Sequence, residues 1–236
     1  MITSTQSSQP FYPSADGEPV AETYTHFYVL LTTLEVLRQY LKDRQATVLA
    51  NQFLYYAQGF PKLRVAPDVM VIFDVPPGGR DNYKIWEERQ VPKVTFEMTS
   101  KKTQEQDANF KKTLYEQLEV QEYWLFDPKG EWIKEQLRGY RLRGESYELI
   151  TDSRSEPLQL RLAVEGEVIS FYRNSGEKLL IPEELAAALQ VEVEARQQAE
   201  SRAAQAQERA QQAQEQAQQI EALLARYRER FGELPE

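Results

Sequence analysis

The chain has no cysteine and one histidine, His26. The first absence excludes disulfides and thiolate metal sites. Together they leave little from which to assemble a cysteine–histidine or serine–histidine catalytic group. No apolar run is long enough to span a bilayer, so no membrane partner is expected. The N-terminal stretch lacks the basic start and apolar core of a signal peptide, which fits a cytoplasmic protein. Positive charge is also short: 28 Lys and Arg face 37 Asp and Glu, for a net charge of −9. A strongly basic surface would have favoured nucleic acid, and this balance leaves such a partner open without supporting it.

What is present is uneven. Residues 183–236 hold 11 acids and 6 arginines, so the rest of the chain is only mildly acidic, with 26 acids against 22 bases. Residues 1–19 are rich in Ser, Thr, Gln and Pro and read as a flexible tail. Residues 20–181 carry the mixed pattern of an α/β domain. From Glu22 to about Lys42, the residues Phe27, Leu30, Leu31, Leu34, Leu37 and Leu41 recur at helical spacing. Strands are expected at Thr47–Tyr56, Asp68–Asp74, Lys93–Thr99 and Tyr123–Asp127. A hairpin, Gly139–Leu142 and Tyr147–Ile150, follows around Arg143-Gly144-Glu145-Ser146. A helix from Gln104 to about Glu119 interrupts the strands, and Thr103 with Gln106 has the spacing of a capping box. This order predicts a mixed sheet flanked by helices.

Residues 182–236 are dominated by Ala, Gln, Glu and Arg, a helix-forming composition. Ala199, Ala203, Ala206, Ala210, Ala213, Ala217, Ile220, Leu224, Tyr227 and Phe231 keep a strict three–four spacing, the mark of a coiled-coil seam. Alanine buries little area, so association along the seam should be weak outside Ile220–Phe231. A lone solvated helix is the alternative.

Two acids interrupt or end β-prone runs: Asp68 in Ala66-Pro67-Asp68-Val69, and Glu97 in Val94-Thr95-Phe96-Glu97-Met98-Thr99-Ser100. A buried sheet should not carry two carboxylates unless something compensates their charge. Mg²⁺ or Mn²⁺, which take hard oxygen ligands, would do so. On the helix that follows, Asp107, Lys111, Leu114 and Leu118 share one face at about 100° per residue, with Phe110 on its flank. Lys112 points away with Ala108 and Glu116. Lys111 therefore belongs to the sheet-facing side and needs an acidic partner. Each residue alone has a plainer reading: Asp68 as a turn residue after Pro67, Asp107–Lys111 as an ordinary helical ion pair. The combination points to metal-dependent phosphodiester hydrolysis.

These pieces, with Tyr115 and Glu122-Tyr123-Trp124-Leu125-Phe126-Asp127-Pro128, resemble in order and spacing the Uma-type restriction endonuclease family. That family, also called a domain of unknown function, is bacterial and abundant in cyanobacteria. The resemblance covers about residues 18–175 and implies a PD-(D/E)XK nuclease core, a restriction-endonuclease-like fold. It implies Asp68 and Glu97 as metal ligands and Lys111 as the catalytic lysine, displaced onto the helix because Thr99 stands two residues after Glu97. Glu22, four residues before His26, resembles an acidic position that such nucleases place near the metals. The family pattern departs at Ser100-Lys101-Lys102-Thr103, where Lys101 and Lys102 are either phosphate contacts or a charged loop, and at Glu119-Val120-Gln121-Glu122. Implied are DNA as the substrate and an arrangement that a homodimer would suit, since cutting both strands calls for two sites. A nuclease acting on RNA or branched DNA would share the site. The rival reading is a non-catalytic scaffold on the same fold, recruiting partners through its tail.

Overall fold

The computed structural model describes residues 10–17, 22–100 and 103–232. Lys101 and Lys102 lie outside the described residues, as do residues 1–9 of the expected tail and the side chain of Phe231. The chain runs through α1 (Tyr24–Leu41), β1 (Ala46–Leu49), β2 (Leu54–Tyr55), β3 (Arg64–Val65), β4 (Val69–Phe73), β5 (Tyr83–Lys84), α2 (Ile85–Glu88) and β6 (Val94–Met98). A π-helical segment, Gln106–Lys111, leads directly into α3 (Lys112–Gln117). Then follow β7 (Glu122–Phe126), β8 (Leu137–Arg143), β9 (Ser146–Leu149), β10 (Arg154–Ser155), β11 (Leu160–Glu165), β12 (Val168–Arg173), β13 (Lys178–Leu179) and α4 (Pro182–Phe231). Two compact units result, Met1–Pro182 and Glu183–Glu236.

The principal sheet has the order β1-β4-β6-β7-β8-β9. Only the central pair β6–β7 is parallel; every other pairing in it is antiparallel. The parallel pair needs a crossover, which the π segment and α3 supply. β4, β6 and β7 are buried almost throughout, which explains their near-continuous apolar runs. Side chains alternate between the two faces. On one face Val69, Val71, Phe96 and Trp124 join Val29, Leu30, Leu34 and Leu37 of α1, together with Leu160 and Phe171 from a second sheet, β10-β11-β12-β13. On the other, Met70, Ile72, Tyr123 and Leu125 meet Leu114, Tyr115 and Val120.

The α1 face differs from the spacing-based expectation in two positions. Phe27 and Leu31 are 55% and 39% exposed, whereas Val29 and Val36 are buried. The expected strand Thr47–Tyr56 is split into β1 and β2, because Asn51 adopts a left-handed conformation (φ 56°) that breaks the extended run. The capping box does not form. Thr103 Oγ1 accepts from the Ser100 backbone N–H at 3.1 Å and so steadies the loop after β6. Within residues 10–17, Tyr12 packs edge-on against Tyr55, with ring centres 5.1 Å apart, and the Tyr55 hydroxyl donates to the Pro13 carbonyl.

The second unit is one long helix with residues 186–230 exposed along its length. Pairs four residues apart, such as Arg196 with Glu200 at 2.9 Å, support its solvated face.

Candidate active site

The register of β4 against β6 sets Val69 opposite Phe96, which brings Asp68 beside Glu97. The Asp68 backbone N–H donates to Glu97 Oε2 at 3.4 Å, and Asp68 Oδ2 accepts from the Met98 N–H at 2.6 Å. Two strand-borne carboxylates are thus locked together by backbone donors. Phe96 and Met98 point into the α1 core, so alternation sends Glu97 to the opposite face, toward α3. There the Tyr115 hydroxyl donates to Oε1 at 2.7 Å, and Lys111 Nζ donates to Oε2 at 2.7 Å.

Lys111 also pairs with Asp107 Oδ1 at 2.9 Å. Both residues lie in the π segment. Its wider turn, with about 4.4 residues instead of 3.6, stacks positions i and i+4 more directly than an α-helix does. Phe110, expected on the flank of this face, is 53% exposed instead. Lys112 turns away and lies over the Tyr140 ring, with Nζ 4.5 Å from its centre. The Tyr123 hydroxyl donates to the Asp107 carbonyl at 2.9 Å and fixes the segment to β7.

From the other side, His26 near the start of α1 places Nε2 3.6 Å from Asp68 Oδ1, and Glu22 Oε2 lies 3.8 Å from the same nitrogen. The structure therefore brings Asp68, Glu97, Lys111 and Asp107 into one cluster, which Glu22 joins through His26. Sequence reasoning reads His26 as a hydrogen-bonding residue near the helix start in preference to a metal ligand, and assigns no role to the Tyr115 hydroxyl. The only signal for His26 is its place one turn after Glu22, and for Tyr115 its place four residues after Lys111.

The electrostatics follow from three carboxylates sharing one ammonium. Burial pushes the Glu97 carboxyl up to about 8; Lys111 opposes the rise, and Asp68 and Asp107 add to it. For Lys111, burial alone would lower the pKa, but Glu97, Asp107 and Asp68 together outweigh it and raise the value. One pair thus shows an acid and a base both raised, because Lys111 cannot neutralise every acid around it. Burial, then the Glu97 charge, holds the Tyr115 phenol well above its ordinary value, so it remains a donor. Burial lowers the pKa of His26, but its hydrogen bond to Asp68 and the charges of Asp68, Glu22 and Glu97 raise it overall.

Among the described residues no group of three or more His, Cys, Asp or Glu side chains forms a ready-made metal cluster. The residues nevertheless suit Mg²⁺, which binds one or two carboxylates and completes its shell with water and substrate oxygens. Asp68 Oδ1 accepts from none of the backbone donors that hold Oδ2, and the cluster carries surplus negative charge.

A mixed sheet flanked by helices, with two strand-borne carboxylates and a lysine gathered at one end of its parallel pair, defines a restriction-endonuclease-like α/β protein. The family described as "Uma2: Putative restriction endonuclease" matches residues 5–171. The chain belongs to that family, the one its motifs resemble. No curated protein matches. Among solved structures, the chain is similar to a crystal structure described as a putative nuclease belonging to DUF820 from Anabaena variabilis ATCC 29413. The two are 17% identical, and the match covers 60% of this chain and 77% of that one with a TM-score of 0.42.

Proposed function

We propose that this protein is a Mg²⁺- or Mn²⁺-dependent endonuclease that hydrolyses DNA phosphodiester bonds. The observation that carries the reading is the Asp68–Glu97–Lys111 cluster: two adjacent carboxylates on a buried sheet, one of them in direct contact with an ammonium. Glu97 is fully buried beside Asp68, and burial pushes its carboxyl up to about 8, so its anionic form calls for a compensating cation.

Asp68 and Glu97 would hold the divalent ion. When bound, that ion lowers the pKa of its water and neutralises charge building on the phosphate. Glu97 would give up the proton that burial lets it keep, becoming an anionic ligand. Lys111, kept charged by its carboxylate neighbours, acts as a fixed cation and hydrogen-bond donor rather than as a base. In that role it orients the attacking water and stabilises the developing charge. Asp107 holds Lys111 in place from one turn back, and Tyr115 holds Glu97. Glu22 adds negative charge at the rim through His26.

The test is Mg²⁺ or Mn²⁺ binding by calorimetry, comparing wild type with Asp68→Asn and Glu97→Gln, followed by plasmid nicking on the same samples. Binding and nicking lost together in both variants would establish the site. No metal binding by the wild type, with or without DNA, would leave the scaffold reading. The tail enters through its exposed seam, on which Ile220, Leu224 and Tyr227 are 58%, 39% and 45% exposed. This seam would pair with a second copy of the chain and so bring two sites into one particle.

A further inference from the structure

A cavity of about 310 Å³ opens beside the cluster described above and shares His26 with it. Its walls include His26 from α1, Thr99 and Ser100 just after β6, and Pro128, Lys129 and Trp132 from the loop after β7. It therefore lies beyond the carboxyl ends of the parallel strands β6 and β7, where ligands collect in open α/β sheets. It is also continuous with the cluster, since His26 borders it and stands 3.6 Å from Asp68 Oδ1.

The loop that presents Trp132 is built rather than loose. Asp127, 2% exposed at the end of β7, accepts at one oxygen from the backbone N–H groups of both Trp132 (2.5 Å) and Ile133 (2.9 Å). Gln136 Nε2 ties the Pro128 carbonyl at 3.0 Å. A buried carboxylate thus holds in place an aromatic residue that remains 38% exposed.

Resting on the nuclease reading above, we infer that this cavity receives one unstacked nucleobase, seated on Trp132, so that the preferred substrate is single-stranded or locally unpaired nucleic acid. A volume near 310 Å³ is at the lower end for small-ligand pockets, which run from about 300 to 1,000 Å³. It suits one base with its sugar. Trp132 supplies the π-face and Pro128 an apolar wall. Lys129 supplies a cation on that wall, available to a flanking phosphate. Glu131, also on the rim, is an acceptor for an exocyclic amine and disfavours a second phosphate there. A base held in this position sets its own phosphodiester at the Asp68 end of the cluster.

The experiment measures binding of a short single-stranded oligonucleotide and of its duplex to the full chain without divalent ions, so that cleavage cannot intrude. Trp132→Ala should weaken single-strand binding about 5- to 150-fold, the range for one lost base–aromatic stack. Trp132→Phe should recover most of it, and melting temperatures should match wild type. With 5-iodouracil in the single strand, ultraviolet cross-linking should map to Trp132. Equal single-strand affinity in wild type and Trp132→Ala, no measurable binding, or a cross-link elsewhere would overturn the inference. Cleavage with Mg²⁺ is scored separately. A chain that cuts but ignores Trp132→Ala keeps the nuclease reading and loses the pocket. A chain that binds through Trp132 but never cuts does the reverse.

Discussion

Lys111 Nζ lies 2.7 Å from Glu97 Oε2, although the two residues sit on different elements, one on a helical segment and one on a central strand. A lysine two residues after Glu97 on β6 would occupy the position of Thr99. Here the cation comes from the crossover helix instead and approaches the same carboxylate from above the sheet. Asp107, four residues back in the same Gln106–Lys111 segment, reaches the same ammonium, so the cation is clamped at 2.9 Å by a second acid.

From this arrangement, Lys111→Ala should reduce cleavage by at least 100-fold, a typical loss for one charge-stabilising group. It should leave the chain folded at some cost in stability, because Glu97 can retain its proton once the ammonium is gone while the buried Asp107 loses its ion-pair partner. Lys112→Ala loses only a cation–π contact with Tyr140, worth about 0.5–1 kcal/mol, and should cut at nearly the wild-type rate. Plasmid nicking with thermal melts on both variants decides this. Equal losses of cleavage in the two would sink the assignment of Lys111 to the reacting face.

Glu97 sets a pH dependence in the metal-free chain. Its folded pKa of about 8 lies above the ordinary 4.5, so between those values the folded state binds more protons than the unfolded state. Stability must then fall as pH rises through that window, by at most about 1.4 kcal/mol per pH unit for one proton. His26, also raised, contributes with the same sign, its stabilisation being lost as pH rises through its folded value. Urea unfolding from pH 5 to 8 in chelator should show the decline, and Glu97→Gln should flatten most of it. Saturating Mg²⁺ should remove it by replacing the proton. A wild-type profile that is flat in chelator would contradict the burial argument.

Much of this architecture is legible in the amino-acid sequence, for a physical reason. β4, β6 and β7 are buried on both faces, so their apolar runs announce them, and an acid inside such a run is conspicuous. The sheet-facing placement of Lys111 follows from helical periodicity and survives the change to π winding, since residues four apart align in either helix. The π segment itself is not legible, because no residue pattern in Gln106–Lys111 distinguishes it from an ordinary turn of helix. The strands from β10 to β13 are expected only as a general β pattern. β10 and β13 are two residues long, β11 and β12 are half exposed, and the left-handed Gly166 (φ 63°) marks the hairpin between those two. The approach of His26 to Asp68, and of Trp132 to the same end of the sheet, is tertiary and leaves no local trace.

Gly139 stands opposite Trp124 in the β7–β8 ladder, and a Cβ there would come within 2.5–2.8 Å of the indole ring. The ring cannot yield. It is 1% exposed, and its Nε1 donates to the buried Glu122 carboxylate, which also holds Arg141 at 2.8 Å. Gly139→Ala should therefore destabilise by about 1–3 kcal/mol, the usual cost of overpacking. Chemical denaturation measures it. A neutral substitution would mean that β8 can move away from Trp124 without loosening the Glu122–Arg141 pair.

The tail gives the last prediction. Along α4 the seam offers alanine until Ile220, after which Leu224 and Tyr227 present larger apolar groups to solvent. A single amphipathic helix gains little from leaving these three exposed, whereas pairing two copies would bury them against one another at roughly 25 cal/mol per Å². Because the alanine stretch adds little area, the dimer should be weak and its population should depend on concentration in the micromolar range or above. Leu224→Glu places a charge in that seam and should shift the full chain to monomer in sedimentation experiments. Metal binding at Asp68 and Glu97 should be unaffected. A wild type that stays monomeric at high concentration would make α4 a solvated helix, and a variant that remains dimeric would place the contact elsewhere on the chain.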